Sequence, residues 1–292
     1  MSNTLQMLLP KGRLQDKVLS LLGRVGLEFS FSHRSYRPKC SDPEVEAKFL
    51  KPQNIASLVN LGRHDVGFVG YDWIVELGLD GEDSDLVEVM DLGFNPVRLV
   101  AAVPEQLLVA GELQAPEPLV VASEYERLTK RYLQEKGLNG VFIKTFGATE
   151  ALPPEDADMI VDNTSTGATL VSNRLAIVDE LLRSTTRFVA NRRALEDPFK
   201  KEKLDRLIKL MKSTLEAERR VLLEMNVPED KLQLIVDSLP AMRSPTVSPL
   251  FGDQGYAVKV AVPSKDSPGL ITKLLELGAT DILEYRLEKI VL

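Results

Sequence analysis

Short apolar runs ending on small or polar residues alternate along most of this chain with stretches of helical spacing. "TLQMLLPKGRLQDKVLSLLGRVGLEF" reads as a strand, a polar corner at Lys11-Gly12-Arg13, and an amphipathic helix closed near Gly26. "KPQNIASLVNLGRHDVGFVGYDWIVELG" gives a helix, the strand "DVGFVG", and another helix from about Tyr71-Asp72. Strands that alternate with helices imply a parallel α/β architecture. From Asn95 to Pro104 a strand between two prolines carries the chain into a second α/β lobe, which continues as strand, helix and strand through "EPLVVASEYERLTKRYLQEKGLNGVFIKTFGATEA". "LVSNRLAIVDELL" has helical spacing, and the segment through "TTRFVANRRAL" leads back to the first lobe. Two lobes joined by crossing segments place a cleft between them, the usual location of a small-molecule site.

Beyond Asp197 the composition changes. A strongly charged helix pattern, "KKEKLDRLIKLMKSTLEAERR", precedes the order strand-helix-strand-strand-helix-strand, the ferredoxin-like βαββαβ arrangement. The expected domains are therefore residues 1–95 plus 180–214 for lobe I, 96–179 for lobe II, and 215–292 for the C-terminal module.

The chemistry concentrates in "DMIVDNTSTGATL". Three apolar residues supply a buried strand, Asp162 lies at its carboxyl end, and ligands of open α/β sheets bind just beyond such ends. Asn163, Thr164, Ser165, Thr166, Gly167, Ala168 and Thr169 then open a helix, whose N-terminal amides and partial positive charge suit a phosphate. Small side chains admit the backbone, and Gly167 permits the dihedrals that turn several N–H groups inward. Asp162 would repel a phosphate but would accept hydrogen bonds from neighbouring sugar hydroxyls, and Asp158, four residues back, would share its strand face. The plainer reading is a capped helix, since Ser, Thr and Asp are favoured N-caps. The full apolar-acid-loop-Thr-Gly-x-Thr pattern favours the ribose 5-phosphate site.

Bulk numbers bound the alternatives. At 292 residues two or three domains are the default, and 44% hydrophobic with 27% charged residues is ordinary globular composition. A net charge of −7 argues against a general nucleic-acid binder. The single Cys40 cannot form an internal disulfide, and neither a leader-like N-terminus nor an apolar run of about 20 residues is present, so a cytoplasmic protein without membrane contact is expected. His33 and His64 stand in no metal-ligand spacing.

"IVDNTSTGATL" resembles the phosphoribosyl-pyrophosphate loop of phosphoribosyltransferases. With "LPKGRL", "DVGFVGYD", "FGATEALP", "LPAMRSPTVSPL" and "LLELGATDILEYRLEKIV", nearly the whole chain resembles the long-form ATP phosphoribosyltransferase family. The resemblance implies a two-lobed, periplasmic-binding-protein-like (type II phosphoribosyltransferase) α/β catalytic core plus a C-terminal ferredoxin-like regulatory domain. It implies a pentosyl transfer in which N1 of the ATP adenine attacks C1 of phosphoribosyl pyrophosphate, releasing pyrophosphate in the first step of histidine biosynthesis. It further implies Mg2+, feedback inhibition by histidine, and a homo-oligomer, dimer or hexamer.

Residue by residue, the resemblance assigns Lys11, Gly12 and Arg13 to the pyrophosphate and nucleotide, together with Gly67, Gly70, Tyr71, Asp72 and Glu150. Read alone, the paired glycines more often mean close packing, and Glu150 could contact adenine, ribose or the fold itself. Lys11 and Arg13, with Lys51 and Asp162, are the catalytic candidates. Lys51 stands where the family usually carries an arginine, which keeps the charge but loses the planar fork. A further family arginine is Arg34 or Arg37. Ser244 and Thr246 match the segment that binds the histidine effector.

Overall fold

The computed structural model describes residues 3–32, 35–114, 116–240, 244–252 and 254–291. It divides into two compact units, Met1–Ser20 with Leu27–Leu204, and Leu21–Gly26 with Asp205–Leu292.

The first unit holds two sheets built on one plan. Its chain begins with β1 (Leu5–Pro10), α1 (Gln15–Arg24), β2 (Val45–Leu50), α2 (Pro52–Asn60), β3 (Val66–Gly70), α3 (Tyr71–Glu76) and β4 (Leu86–Asp91). It crosses to β5 (Val97–Pro104), β6 (Leu119–Ser123), α4 (Glu126–Lys136), β7 (Gly140–Lys144), β8 (Met159–Thr164), α5 (Ala168–Ser172) and β9 (Leu175–Ser184). It returns as β10 (Thr186–Asn191), α6 (Arg192–Glu196) and α7 (Pro198–Glu218). The sheet orders are β2-β1-β3-β10-β4 and β7-β6-β8-β5-β9. In each, three strands run parallel, and the strand arriving from the other lobe joins antiparallel. The carboxyl ends of β3 and β8 carry the two motifs singled out in the sequence.

Apolar side chains fill both faces of these sheets, as parallel strands require. In lobe II, Leu99, Ala101, Val121 and Val161 pack on one face with Leu128 and Tyr132 of α4, while Val100, Ala102 and Ile160 pack on the other with Leu170 of α5. Val75, on α3 of lobe I, is buried in the same cluster as α4, so the lobes share apolar surface.

Two sequence expectations are corrected here. The stretch "LAIVDELLRS" is the long strand β9, and only Ala168–Ser172 is helical. Register shifts between Ile177 and Asp179 and between Glu180 and Leu182 insert extra residues into the ladder. Each bulge breaks the two-residue alternation, and two in succession space the apolar residues as a helix would. Because β9 pairs with β5 as far as Ser184, residue 180 falls inside a lobe II strand and the lobe changes at Thr185.

The second unit contains β11 (Arg220–Val227), α8 (Leu232–Ser238), β12 (Thr246–Pro249), β13 (Tyr256–Pro263), α9 (Ser267–Glu276) and β14 (Thr280–Arg286), with antiparallel order β12-β13-β11-β14. This is the ferredoxin-like βαββαβ topology. Val221, Leu223, Met225 and Val227 alternate inward along β11 and meet Ile235 of α8 and Leu274 of α9.

Gly67 of β3 exists for packing: a Cβ there would sit 2.4 Å from Ile55 Cγ2 on α2. Gly67→Ala is expected to destabilise the protein by about 1–3 kcal/mol. Ile55→Leu, which removes the branching methyl, should recover part of that loss in the double variant. Denaturant midpoints of the four proteins in this cycle measure the coupling, and strict additivity would refute the contact.

Candidate functional site

At the cleft between the lobes, Lys11, Arg13, Leu14, Pro52, Gly70, Asp72 and Trp73 of lobe I face Tyr125 and Asn163 of lobe II, with Asn95, Ser184, Thr185 and Thr186 at the crossing. Its organising group is Asp72, buried at the start of α3. Ser184 Oγ donates to Asp72 Oδ1 at 2.5 Å and Tyr125 Oη donates to Oδ2 at 2.6 Å. A Cβ on Gly70 would lie 2.2 Å from Asp72 Oδ1, so this glycine makes room for the carboxylate. Burial first, and then the adjacent Asp72 charge, push the Tyr125 phenol well above its ordinary range, so it stays a donor. Its oxygen also accepts from Asn163 Nδ2 at 2.9 Å, and Asn163 Oδ1 accepts from Arg13 Nη1 at 3.3 Å. A chain of hydrogen bonds thus runs from Ser184 through Asp72, Tyr125 and Asn163 to Arg13, crossing from one lobe to the other three times.

Two further contacts brace it. The rings of Trp73 and Tyr125 stack with centroids 4.7 Å apart. The buried Glu76 accepts from the backbone N–H groups of Arg127 and Leu128, both at 3.0 Å, so a lobe I carboxylate caps the lobe II helix α4 where the helix dipole favours negative charge.

The Thr-Gly loop follows β8. Gly167 adopts φ +81° ahead of α5, its N–H donates to Thr164 Oγ1 at 2.9 Å, and the Ala168 N–H donates to Thr166 Oγ1 at 3.3 Å. These two amides shape the loop from within. The amides of Ser165, Thr166 and Thr169 have no acceptor among the described residues, and all three residues are exposed. Asp162 lies beneath the loop, with Oδ1 accepting from the Asn163 N–H at 2.7 Å. Its carboxyl is raised from 3.8 to about 6 by burial foremost, with the charges of Glu150 and Glu124 adding to the rise, while the Asn163 amide and Arg13 oppose it. Glu150 is therefore a neighbour of Asp162.

Several expected site residues lie elsewhere. Asp158 precedes β8, and its Oδ2 accepts from the Val120 N–H at 2.8 Å; at the amino end of a strand whose carboxyl end holds Asp162, it cannot share a ligand with the loop. Gly67 is a packing residue, as described above. The Tyr71 ring stacks against the Arg187 guanidinium at 4.9 Å, and its N–H donates to Thr185 O, so it supports the crossing. Lys51 flanks α2 ahead of Pro52 with an exposed side chain and does not line the cleft. Arg37 lines a separate recess with His64 and Lys48, and Arg34 and His33 lie outside the described residues. Lys11 Nζ sits 3.7 Å over the Tyr36 ring. Sequence reasoning missed Trp73, Tyr125, Asn95 and the Ser184–Thr186 turn. The signal for Tyr125 was its place just past the carboxyl end of β6, the same rule that singled out Asp162.

Residues 51–213 match the family model described as ATP phosphoribosyltransferase, and residues 217–289 the one described as HisG, C-terminal domain. The ATP phosphoribosyltransferase of Chlorobium luteolum is 41% identical across 99% of this chain and 98% of its own length. That of Thermodesulfovibrio yellowstonii is 39% identical across 97% of each. A chain of the ATP phosphoribosyl transferase (HisG:HisZ) complex from Thermotoga maritima superposes with a TM-score of 0.61 at 27% identity, over 72% of this chain and 99% of its own.

The raised carboxyl of Asp162 makes a pH-dependent prediction. Native structure favours its neutral form, so its stabilising effect is complete below the unfolded value near 3.8 and is lost as pH rises through about 6. Asp162→Asn should therefore stabilise the fold by about 2 kcal/mol well above that pH and have little effect at the acid end. Thermal unfolding across the interval measures it; a pH-independent difference would refute the burial of the charge.

Proposed function

This chain belongs to the ATP phosphoribosyltransferase family, and from that premise we propose that its interlobe cleft holds phosphoribosyl pyrophosphate against the β8 loop and brings ATP to the C1 face of the ribose. The reaction is the pentosyl transfer that opens histidine biosynthesis. Adenine N1 forms a bond to C1, the bond from C1 to the pyrophosphate oxygen breaks, and pyrophosphate leaves. Positive charge grows on the ribose ring and negative charge on the leaving group, and pre-placed charges and dipoles stabilise both.

The observation that carries this reading is the Arg13–Asn163 contact, which brings the cationic corner of lobe I to the acid-and-amide loop of lobe II. On this reading the amides of Ser165, Thr166 and Thr169 hold the 5′-phosphate, with Gly167 and Ala168 setting the loop's shape. Asp162, ionised near neutral pH, accepts hydrogen bonds from the ribose diol. Arg13 and Lys11 meet the pyrophosphate, Gly12 lets them turn inward at φ +85°, and Asp72 anchors Tyr125 and Asn163 behind them. Glu150 contributes negative potential beside the developing ribose cation.

Mg2+ binds through one or two carboxylates plus substrate phosphates rather than in an all-protein cage. That suits this cleft: among the described residues no three His, Cys, Asp or Glu side chains converge on a metal position, while Asp162 and Glu150 are paired acids beside the proposed phosphates. These two carboxylates would hold the ion with the pyrophosphate oxygens, and it would supply charge neutralisation for the leaving group.

In the C-terminal unit, Ser244 and Thr246 are exposed at the start of the edge strand β12, and we assign histidine to their hydroxyls and neighbouring backbone. Exposed apolar side chains on the two edge strands, Val247 on β12 with Leu283 and Tyr285 on β14, support assembly of several copies.

Incubation with ATP, phosphoribosyl pyrophosphate and Mg2+ should yield phosphoribosyl-ATP, followed by its absorbance; no product at high protein concentration would reject the reading. Tyr125→Phe removes the donor to Asp72 and the acceptor for Asn163, and should raise KM for phosphoribosyl pyrophosphate by about tenfold or more. Millimolar histidine should slow the wild type, and Thr246→Ala should weaken that inhibition without altering the uninhibited rate.

A further inference from the structure

Asn95 stands at the first crossing between the lobes and lines the cleft with Lys11, Arg13, Thr185 and Thr186. Three features of this residue each cost stability in the free protein. Its φ of +47° lies in the left-handed region, which asparagine adopts more readily than other side-chain-bearing residues but less readily than glycine. The next residue is Pro96, and a residue before proline is pushed toward extended backbone, so the left-handed conformation is doubly disfavoured. Its side-chain Nδ2 is buried without any hydrogen-bond partner, whereas nearly all such groups in folded proteins are satisfied. Glycine would remove the first and the third of these costs. Chains do not retain strain and an orphaned donor together at a cleft wall for the sake of folding; both are expected where a group is held ready for a ligand.

We propose that Asn95 is a substrate-binding residue whose side-chain amide donates a hydrogen bond to an oxygen of the pyrophosphate group of phosphoribosyl pyrophosphate. The proposal rests on the reading of the cleft given above. The ligand atom must be an acceptor, because the orphaned group is a donor. It belongs to an anion, because the cationic side chains Lys11 and Arg13 line this cleft, while the acid that shares the lining, Asp72, has both oxygens engaged by Ser184 and Tyr125. The partner is an oxygen of the substrate and not of the protein, since no acceptor among the described residues reaches Nδ2. A neutral amide adds direction without adding charge: it fixes one oxygen of a group that the two cations attract from any angle.

Two variants test this in the full-length protein. Asn95→Gly keeps the backbone conformation at no steric cost and deletes the amide. Asn95→Asp keeps the shape and replaces the donor with a repelling carboxylate. Asn95→Gly should unfold at the same temperature as the wild type or higher, while KM for phosphoribosyl pyrophosphate rises roughly 10-fold or more, KM for ATP stays within about twofold, and kcat changes little. Asn95→Asp should raise the same KM further. Direct titration of phosphoribosyl pyrophosphate without ATP should show the same order of affinities, wild type over glycine over aspartate. An Asn95→Gly protein that is more stable and binds phosphoribosyl pyrophosphate as the wild type does would overturn the proposal, because the strain would then serve nothing. So would equal increases in both KM values, which would indicate a displaced lobe. Neither result touches the proposed reaction, which fails separately if the wild type makes no phosphoribosyl-ATP.

Discussion

A buried carboxylate held by hydroxyls, with no ion-pair partner among the described residues, shapes this molecule. Both oxygens of Asp72 are taken by hydroxyls, one from Ser184 at the crossing and one from Tyr125 in the opposite lobe. Removing a charge from water is tolerable only when it is fully hydrogen-bonded, and each such bond is then worth more than a neutral one. The acid therefore dictates where the second lobe must stand: Tyr125 has to reach it, and Asn163 and Arg13 follow in register. The Trp73–Tyr125 stack and the Glu76 cap on α4 hold the same two elements together from either side. Asp72 was expected to touch substrate; its geometry makes it the anchor on which the substrate-facing groups are hung.

The loop after β8 works on the opposite principle. Its internal bonds, Gly167 to Thr164 and Ala168 to Thr166, fix the backbone and leave neighbouring amides without protein partners. Beneath it, Asp162 is held near the point of neutralisation by burial and by two other acids. On the proposed reading, a phosphate above and a diol below would satisfy this surface. Free energy withheld from folding in this way reappears as binding and as preorganisation for the charge that develops during transfer.

Much of this was legible in the sequence because the signals were local. The apolar-acid-loop pattern located β8, Asp162 and Gly167, and the strand-helix alternation yielded both lobes and the C-terminal βαββαβ unit. What was lost depended on contacts distant in the chain. Tyr125 lies 53 residues from Asp72, and nothing in "SEYERL" announces a partner at the start of a helix in the other lobe. The two bulges in β9 turned a strand's alternation into a helix's spacing, so the longest strand of lobe II read as a helix. Asp158 repeated the chemistry of Asp162 four residues away but lies at the wrong end of the same strand. Gly67 looked like Gly70; only the tertiary neighbours, Ile55 in one case and the Asp72 carboxylate in the other, tell a packing glycine from one beside the site.

The crossing between β9 and β10 is a single residue, Thr185. Its carbonyl accepts from the Tyr71 N–H, and the strand that follows is tied to the other crossing by bonds from the Thr186 N–H to Phe94 O and from the Leu92 N–H to Thr186 O, both at 3.0 Å. The two spans form a stitched spine without slack. A spine of this kind lets the covers rock about one line but not slide or twist, so the lobes keep their alignment through every turnover. Entry and exit of the reactants then depend on how far the outer edges part, while the groups nearest the spine keep a nearly unchanged geometry.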